Sequence, residues 1–368
     1  MFLTLNTFSI VGGIQRIGKV TGMALYELSL SDGSELSIYS MCDKNNYEQP
    51  YFPNSIFKGF SGRKVWFVIN AVKKGMAVDT VLLSHVNLSI AGYFIKLLSP
   101  KTKLILFAHG REVWVPFKGW KKKLIAKFDR ILPVSEYTKE VMKKLHRLPE
   151  AKLRVINNCL DPFLPIPETS EKDKSLMNRY GLVQNDIILM TVTRMSINDR
   201  NKGYDKVFLA LRDLKAGYPN LKYLVVGKYD KLEKQAIDTR LKELGIEALI
   251  KFTGFIPEEQ LAKYFNLADI YIMPSKKEGF GIVFIEAMYY GKPVIAGNVD
   301  GSVDALFNGK LGLLVNPESL DEIINAIIKV LNNKTLYLPD KKLLLTNFGY
   351  DNYKKRLSCG LNFNKNNL

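Results

Sequence analysis

The chain runs to 368 residues, more than one hydrophobic core usually serves, so two domains of similar size are expected. Hydrophobic residues at 47% and charged residues at 24% are ordinary for a folded soluble protein and exclude a fibrous or disordered chain. The net charge of +17 is uneven, with 24 Lys+Arg against 12 Asp+Glu in residues 1–165 and 29 against 24 thereafter; a basic first half suits phospholipid, acidic glycan or nucleic acid, and a plain soluble surface fits it as well.

The opening MFLTLNTFSIVGG has no basic stretch ahead of an apolar one, so no signal peptide is expected. Short β-rich runs then alternate with amphipathic helical stretches. Predicted strands in the first half are 2–8, 35–41, 80–85, 103–109, 130–135 and 153–158, with helices over 15–30, 91–98 and 137–145. Residues 42–60 read as a long loop rich in polar and aromatic side chains. The longest apolar run, 81–99, is interrupted by His85, Asn87 and Lys96, so it reads as a strand and a helix rather than a membrane span. At 161–175 three prolines are followed by a charged run. Prolines remove backbone donors and the polar run cannot build a core, which places the interdomain linker at 164–176.

The alternation restarts with strands at 186–193, 222–227, 249–254, 270–275, 293–298 and 311–315. Continuous Val/Ile/Leu runs suit strands covered on both faces, as in parallel sheets. Two such series imply an α/β protein of two doubly wound, Rossmann-like domains, 1–163 and 177–347, with a last helix at 348–368 whose Asn/Lys-rich end, 362–368, is expected to fray. Cys42, Cys159 and Cys359 stand far apart without metal-ligand spacing, which argues for a reduced compartment with neither zinc nor a disulfide framework.

In doubly wound sheets ligands bind beyond the carboxyl ends of strands. The densest chemistry there is PSKKEGFGIVFIEAMYYGKPVIA, residues 274–296. A strand ends at Ser275, a turn carrying Gly279 and Gly281 follows, and an apolar helix begins near Ile282. The glycines allow close backbone approach, and the first helix amides are unpaired donors suited to a diphosphate. Glu286, about one turn into the helix, can accept two hydrogen bonds from vicinal hydroxyls such as a ribose offers, and Glu278 faces what lies beyond the phosphates. Taken alone, the two carboxylates would equally be helix-start residues favoured by the dipole.

The segment resembles the signature of the retaining nucleotide-sugar glycosyltransferases known as family 4 or group 1. Their GT-B fold sets two Rossmann-like domains face to face across a central cleft. The mark is a Glu, seven residues and a second Glu, then Gly-Lys-Pro-Val; Glu278, Glu286 and Gly291-Lys292-Pro293-Val294 match it. The resemblance implies that Glu278 contacts the donor sugar, that Glu286 contacts the ribose, and that the backbone of Gly281, Ile282 and Val283 faces the diphosphate and sugar. TVTRMSINDRNKGYDKV (191–207) resembles the family's Arg…Lys-Gly element and implies Arg194 and Lys202 as diphosphate ligands, with Arg200 a substitute for either because the loop is longer than in the shortest family versions. VVG, ending at Gly227, and the stretch 252–275 match later strands, with 252–255, including Phe255, bordering the nucleobase.

Gly12-Gly13-Ile14-Gln15-Arg16 resembles the family's glycine-rich loop after the first strand, although its flanks depart from the common Gly-Ala-Glu-Arg form. His109-Gly110 matches the family's His near the sugar; Glu112 and Trp114 follow it, as acceptor contacts or as a helix-start carboxylate and a packed aromatic. FGYDNYKKRL (348–357) resembles the terminal helix that crosses back to the first domain. The resemblance covers about the whole chain, densely over 186–317 and sparsely before residue 100.

The implied activity is transfer of a hexosyl unit from a UDP- or GDP-sugar, with retention, to a glycan or polyprenyl-linked acceptor in surface polysaccharide or glycolipid assembly. Glu278, His109, Arg194 and Lys202 would act at the reacting centre. Arg194, Lys202 and the helix start could neutralise the departing diphosphate without metal or further cofactor, and no Asp-x-Asp clamp is present. Two other readings are a basic nucleic-acid-binding protein and a catalytically silent sugar-nucleotide binder. The first lacks basic–aromatic interleaving and any finger or RRM-like motif, so no nucleic-acid partner is expected. A nicotinamide enzyme is disfavoured because SIVGGIQRIG lacks GxGxxG spacing. Finally, Trp120, Leu124 and Phe128 recur at helical spacing within 118–128 beside Lys121, Lys122, Lys123 and Lys127, the form expected at an anionic membrane. An inward-packed helix would show the same stripe. The expected location is cytoplasmic, peripheral on the inner membrane face.

Overall fold

The computed structural model describes residues 1–167 and 172–362. Positions 168–171 of the expected linker and the end from 363 onward lie outside the described residues, as does the expected fraying there. The chain divides into two units, Met1–Pro162 with Phe348–Leu368, and Phe163–Asn347.

The first unit is a six-stranded parallel sheet of β1 (Phe2–Thr4), β2 (Ile38–Ser40), β3 (Phe57–Gly59), β4 (Thr80–Leu83), β5 (Lys103–Ala108) and β6 (Arg130–Pro133), in the order β3-β2-β1-β4-β5-β6. Its helices are α1 (Gly13–Asp32), α2 (Lys64–Gly75), α3 (Ser89–Leu98), α4 (Gly119–Ile125) and α5 (Glu136–His146). The central strands TVLL and KLILFA are Leu/Ile/Val-rich because helices cover both faces; Val81, Leu83, Leu104 and Leu106 are fully buried. Helix α1 stops at Gly33, whose φ of 71° is the left-handed cap that glycine favours.

The second unit repeats the plan. After α6 (Lys174–Arg179) come β7 (Ile187–Val192), α7 (Tyr204–Leu214), β8 (Leu221–Val226), α8 (Lys231–Leu244), β9 (Ile250–Phe252), α9 (Leu261–Leu267), β10 (Ile270–Met273), α10 (Ile282–Tyr289), β11 (Val294–Gly297), α11 (Ser302–Ala305), β12 (Leu313–Val315) and α12 (Leu320–Asn332). The parallel order is β12-β11-β10-β7-β8-β9. After α13 (Lys341–Phe348), α14 (Tyr350–Leu361) packs on α1 of the first unit. There Tyr353 Oη and Thr21 Oγ1 are 2.6 Å apart, and the Arg130 guanidinium donates to the Gly360 carbonyl at 2.7 Å.

Three expectations are corrected. The supposed loop 42–60 contains edge strand β3, too short for any periodicity; Phe57 anchors it among the rings of Phe8, Tyr47 and Phe52. The supposed strand 153–158 joins no sheet: it lies along β6 with the Arg154 and Ile156 amides donating to Ile131 and Pro133, and the only bridge is Ile131 with Leu153. The helix expected through 118–128 stops at Ile125, and Leu124 and Phe128 are buried in the sheet's hydrophobic core. Leu124 and Phe128 therefore serve the fold, the Trp120 side chain lies outside the described residues, and Lys122, Lys123 and Lys127 stay exposed. No helix among the described residues is long and apolar enough to cross a membrane.

Candidate active site

In each sheet the strand order reverses once, between β1 and β4 in the first unit and between β7 and β10 in the second. Chains leaving neighbouring strands at such a point run in opposite directions and open a crevice beyond the strand ends. Arg194 and Lys202 leave β7; Glu278, Gly281, Ile282, Val283 and Glu286 follow β10. The second unit thus gathers its predicted residues at its own switch point.

The β7–α7 loop is fastened there by backbone. The Lys276 amide donates to the Asn201 carbonyl at 2.8 Å. Gly203 has φ 77°, and a Cβ on it would stand 2.2 Å from the Pro274 carbonyl oxygen, so only glycine lets the loop lie this close to the β10 end. Lys202 between them is held with its Nζ against Glu278 Oε2, both side chains mostly buried. Two residues given separate roles, phosphate and sugar, are direct partners. Arg194 has a mostly exposed side chain with Nη2 3.4 Å from Asp199 Oδ2. Arg200 is committed elsewhere: its Nε and Nη2 both donate to buried Glu233 at 2.8 Å, and Tyr204 donates to the same carboxylate at 2.7 Å. That bidentate pair joins α8 to the loop and engages the Arg200 guanidinium with Glu233.

Beyond β10 the loop 274–281 is held by Asp300, which sequence reasoning missed. Its Oδ2 accepts from the Glu278 amide at 2.7 Å and Ser275 Oγ at 2.8 Å, and its Oδ1 from the Ser302 amide at 2.9 Å. The next residue, Gly301, donates its amide to the Glu278 carbonyl at 2.9 Å. Burial raises the Asp300 carboxyl to about 6 against the hydrogen bonds that lower it. The only signal was an Asp-Gly pair just after a strand, which reads as an ordinary turn.

Gly281 caps α10 with φ 92° and ψ 71°, so the amides of Ile282 and Val283 open the helix. Glu286 is buried one turn in, on an otherwise apolar helix. At the ends of β8 and β9, the Gly227 amide donates to the Gly254 carbonyl at 3.0 Å, and a Cβ on Gly227 would meet the Thr193 carbonyl oxygen at 2.0 Å. Phe255 follows, half exposed, with Lys228 Nζ 4.7 Å from its ring centre.

In the first unit Gly12 caps α1 and Gly13 begins it. Gly12 has extended backbone, φ 174°, which any residue adopts, and a Cβ would meet only the Gln15 side chain. The preceding loop is held by Asp43, a second residue without a sequence signal. It accepts from the Thr7 amide at 2.6 Å, the Ser9 amide at 2.8 Å and Ser40 Oγ at 2.6 Å. His109 directly follows β5 and donates Nε2–H to the Ser84 carbonyl at 2.8 Å, since a carbonyl only accepts, which leaves Nδ1 as an acceptor. Burial lowers its pKa to about 4, opposed by that bond, so the ring is neutral near pH 7. Glu112 accepts from the His109 and Gly110 amides, which makes it a cap on this turn. Trp114 packs edge-on to Tyr137 at 5.2 Å.

Residues 173–344 match the Glycosyl transferases group 1 family, and residues 31–162 match Glycosyltransferase Family 4. The chain belongs to the group 1 glycosyltransferases. Among relatives of this glycosyltransferase is a 41.2 kDa protein of the cps region of Klebsiella pneumoniae, 24% identical over 91% of this chain and 93% of that protein. Another is the GDP-mannose-dependent α-(1-6)-phosphatidylinositol monomannoside mannosyltransferase of Mycolicibacterium smegmatis, 28% identical over 61% of this chain but only 60% of that enzyme. Among solved structures, Anabaena HepE in complex with UDP and glucose has the same GT-B fold, with a TM-score of 0.75 at 18% identity and 98% of each chain covered.

Proposed function

We propose that this glycosyltransferase moves a sugar from a nucleoside-diphosphate donor, UDP- or GDP-linked, to a glycan or lipid-linked acceptor with retention, in surface polysaccharide or glycolipid assembly. The observation that carries the reading is the Lys202–Glu278 contact one helix start away from buried Glu286. A carboxylate for sugar hydroxyls touching a cation for phosphate, with a carboxylate for ribose in the helix that follows, supplies one partner for each of these groups of a nucleotide sugar. A solved neighbour in complex with UDP and glucose, and a relative that is GDP-mannose-dependent, support both donor bases.

When the donor enters, Lys202 turns from Glu278 to the diphosphate and Glu278 is freed for the sugar hydroxyls. Arg194 and the Ile282 and Val283 amides share the growing negative charge as the bond from C1 to the phosphate oxygen breaks. The acceptor hydroxyl attacks C1 from the face the phosphate leaves, and its proton passes to the departing phosphate oxygen. Phe255 offers a face for the base. In the first unit, neutral His109 offers Nδ1 as an acceptor for a sugar hydroxyl, and Gly12 and Gly13 count among the donor-binding residues. The charge on Arg194 and Lys202 makes a metal unnecessary.

Calorimetry with UDP and GDP, together with a transfer assay, tests the roles. Glu286→Ala is expected to weaken free-nucleotide binding. Glu278→Ala is expected to spare it while slowing transfer about 100-fold or more, the scale of a lost positioning contact. Equal affinity losses in both variants would refute the assignment, and activity abolished by EDTA and restored by Mg²⁺ would refute the metal-free scheme.

A further inference from the structure

The outer faces of α2 and α3 are apolar. Helix α2 turns Phe67, Ala71 and Gly75 inward, and Gly75 lets it press on α3, since a Cβ there would stand 2.5 Å from Ile95 Cδ1. Outward it presents Val65, Trp66 and Ile69, with Met76 just beyond, and α3 presents Ile90, Phe94, Leu97 and Leu98. Each of these eight side chains is 40–75% exposed. An open groove of about 440 Å³ runs between the helices, walled by Val68, Val72, Met76, Phe94 and Leu98. A surface helix ordinarily turns polar residues outward, and a contiguous apolar patch marks a contact surface.

The charge around the patch says what it contacts. Residues 49–128 hold 14 Lys+Arg and two acidic residues, Asp79 and Glu112. Arg63, Lys64, Lys73 and Lys101 are exposed at the ends of α2 and α3. Helix α3 also packs on α4, where Lys127 Nζ lies 5.4 Å from the Tyr93 ring and extends the basic surface to exposed Lys122 and Lys123. A protein-binding face usually depletes lysine and pairs its charges. Lys74 lies near Glu35, and Lys96 and Lys103 pair with Asp129, yet cations still outnumber carboxylates around the patch. Aliphatic and aromatic side chains ringed by such an excess of cations instead match a bilayer, with acyl chains for the patch, the interface for Trp66 and anionic headgroups for the lysines.

We propose that the α2–α3 face docks the enzyme on an anionic lipid bilayer. The docking concerns where the enzyme works and does not depend on the donor assignments above. It also moves the membrane contact away from the Trp120–Phe128 stripe, whose Leu124 and Phe128 are buried, and keeps only the lysines of that segment.

Co-sedimentation with vesicles of phosphatidylcholine, and of phosphatidylcholine mixed with phosphatidylglycerol, tests the proposal. The full chain is expected to bind the mixed vesicles and to shift Trp66 fluorescence to the blue. Combining Trp66→Ser, Ile69→Ser, Phe94→Ser and Leu97→Ser should lower vesicle affinity about tenfold or more. Lys64→Glu, Lys73→Glu and Lys101→Glu should each lower it about fivefold or more, and added salt should act in the same direction. All seven side chains are exposed, so the thermal midpoint and nucleotide binding should persist, which separates failed docking from a failed donor site. Unchanged vesicle binding in the serine variant, or equal binding to neutral vesicles, overturns the proposal. So does a wild type that ignores vesicles but forms a dimer that the serine variant dissolves, which would assign the face to a second copy.

Discussion

The two units carry the same six-stranded sheet but hold their ligand-facing loops by different means. In the second, backbone lies on backbone at Gly203 against Pro274, Gly227 against Thr193, and Gly301 against Gly279, where an added Cβ would stand 2.1 Å from the carbonyl oxygen, and the Asp300 carboxylate adds a side-chain clamp on the Glu278 amide. In the first, the loop before α1 is gathered by one side chain, Asp43, which accepts from the Thr7 and Ser9 amides, backbone meets backbone only further on at Gly59 against Lys44, and a methyl group on Gly12 would displace only the Gln15 side chain. A diphosphate is bound best by amides and close backbone, which tolerate glycine and little else.

The largest expected effect sets Lys202 against Arg200. Lys202→Ala should raise the transfer barrier by about 2–4 kcal/mol with little change in stability. Arg200→Ala should spare turnover and destabilise the second unit by about 1–3 kcal/mol, because buried Glu233 loses its bidentate partner. Steady-state kinetics and urea melts on both variants check this, and turnover lost with Arg200 would return it to the site.

Next come the glycines. Gly203→Ala combines a φ of 77° with a backbone clash and should cost about 1–3 kcal/mol and depress transfer. Gly12→Ala should cost about 1 kcal/mol or less, the scale of a changed helix cap. Equal costs would erase the distinction between backbone-held and side-chain-held loops.

The smallest effect is a pair of opposed pH slopes. Asp300 has a folded pKa of about 6, raised by burial above the ordinary carboxylate value of 3.8, so the folded state holds the proton more tightly. Its contribution to stability falls as pH rises through that window. His109, lowered by burial from 6.5 to about 4, works the other way: its contribution is present above 6.5 and is lost as pH falls toward 4. Each amounts to up to roughly 2 kcal/mol after allowing for solvent near the loops. Urea midpoints from pH 4 to 7 should flatten in opposite senses for Asp300→Asn and His109→Gln. Near pH 7 the transfer rate should show no inflection from His109, which is neutral there.

Much was legible in the residues alone. Leu/Ile/Val runs broken by amphipathic stretches can only be buried strands between covering helices, so two doubly wound units follow from pattern. The Glu278–Glu286 spacing and the helix start at Gly281 follow from local chemistry within one turn of helix. Tertiary structure decided what depends on strands distant in sequence. Strand order put the β7 and β10 ends side by side, which made partners of Lys202 and Glu278, bound Arg200 to Glu233, and gave Asp300 and Asp43 their tasks as loop anchors. It also decided which apolar stripe turns inward. The Leu124–Phe128 stripe and the α2–α3 faces are alike in composition, and helical periodicity fixes the spacing of a stripe without saying which way it faces. Only the position of the sheet beneath sent Leu124 and Phe128 into the core and left Trp66, Ile69, Phe94 and Leu97 outside.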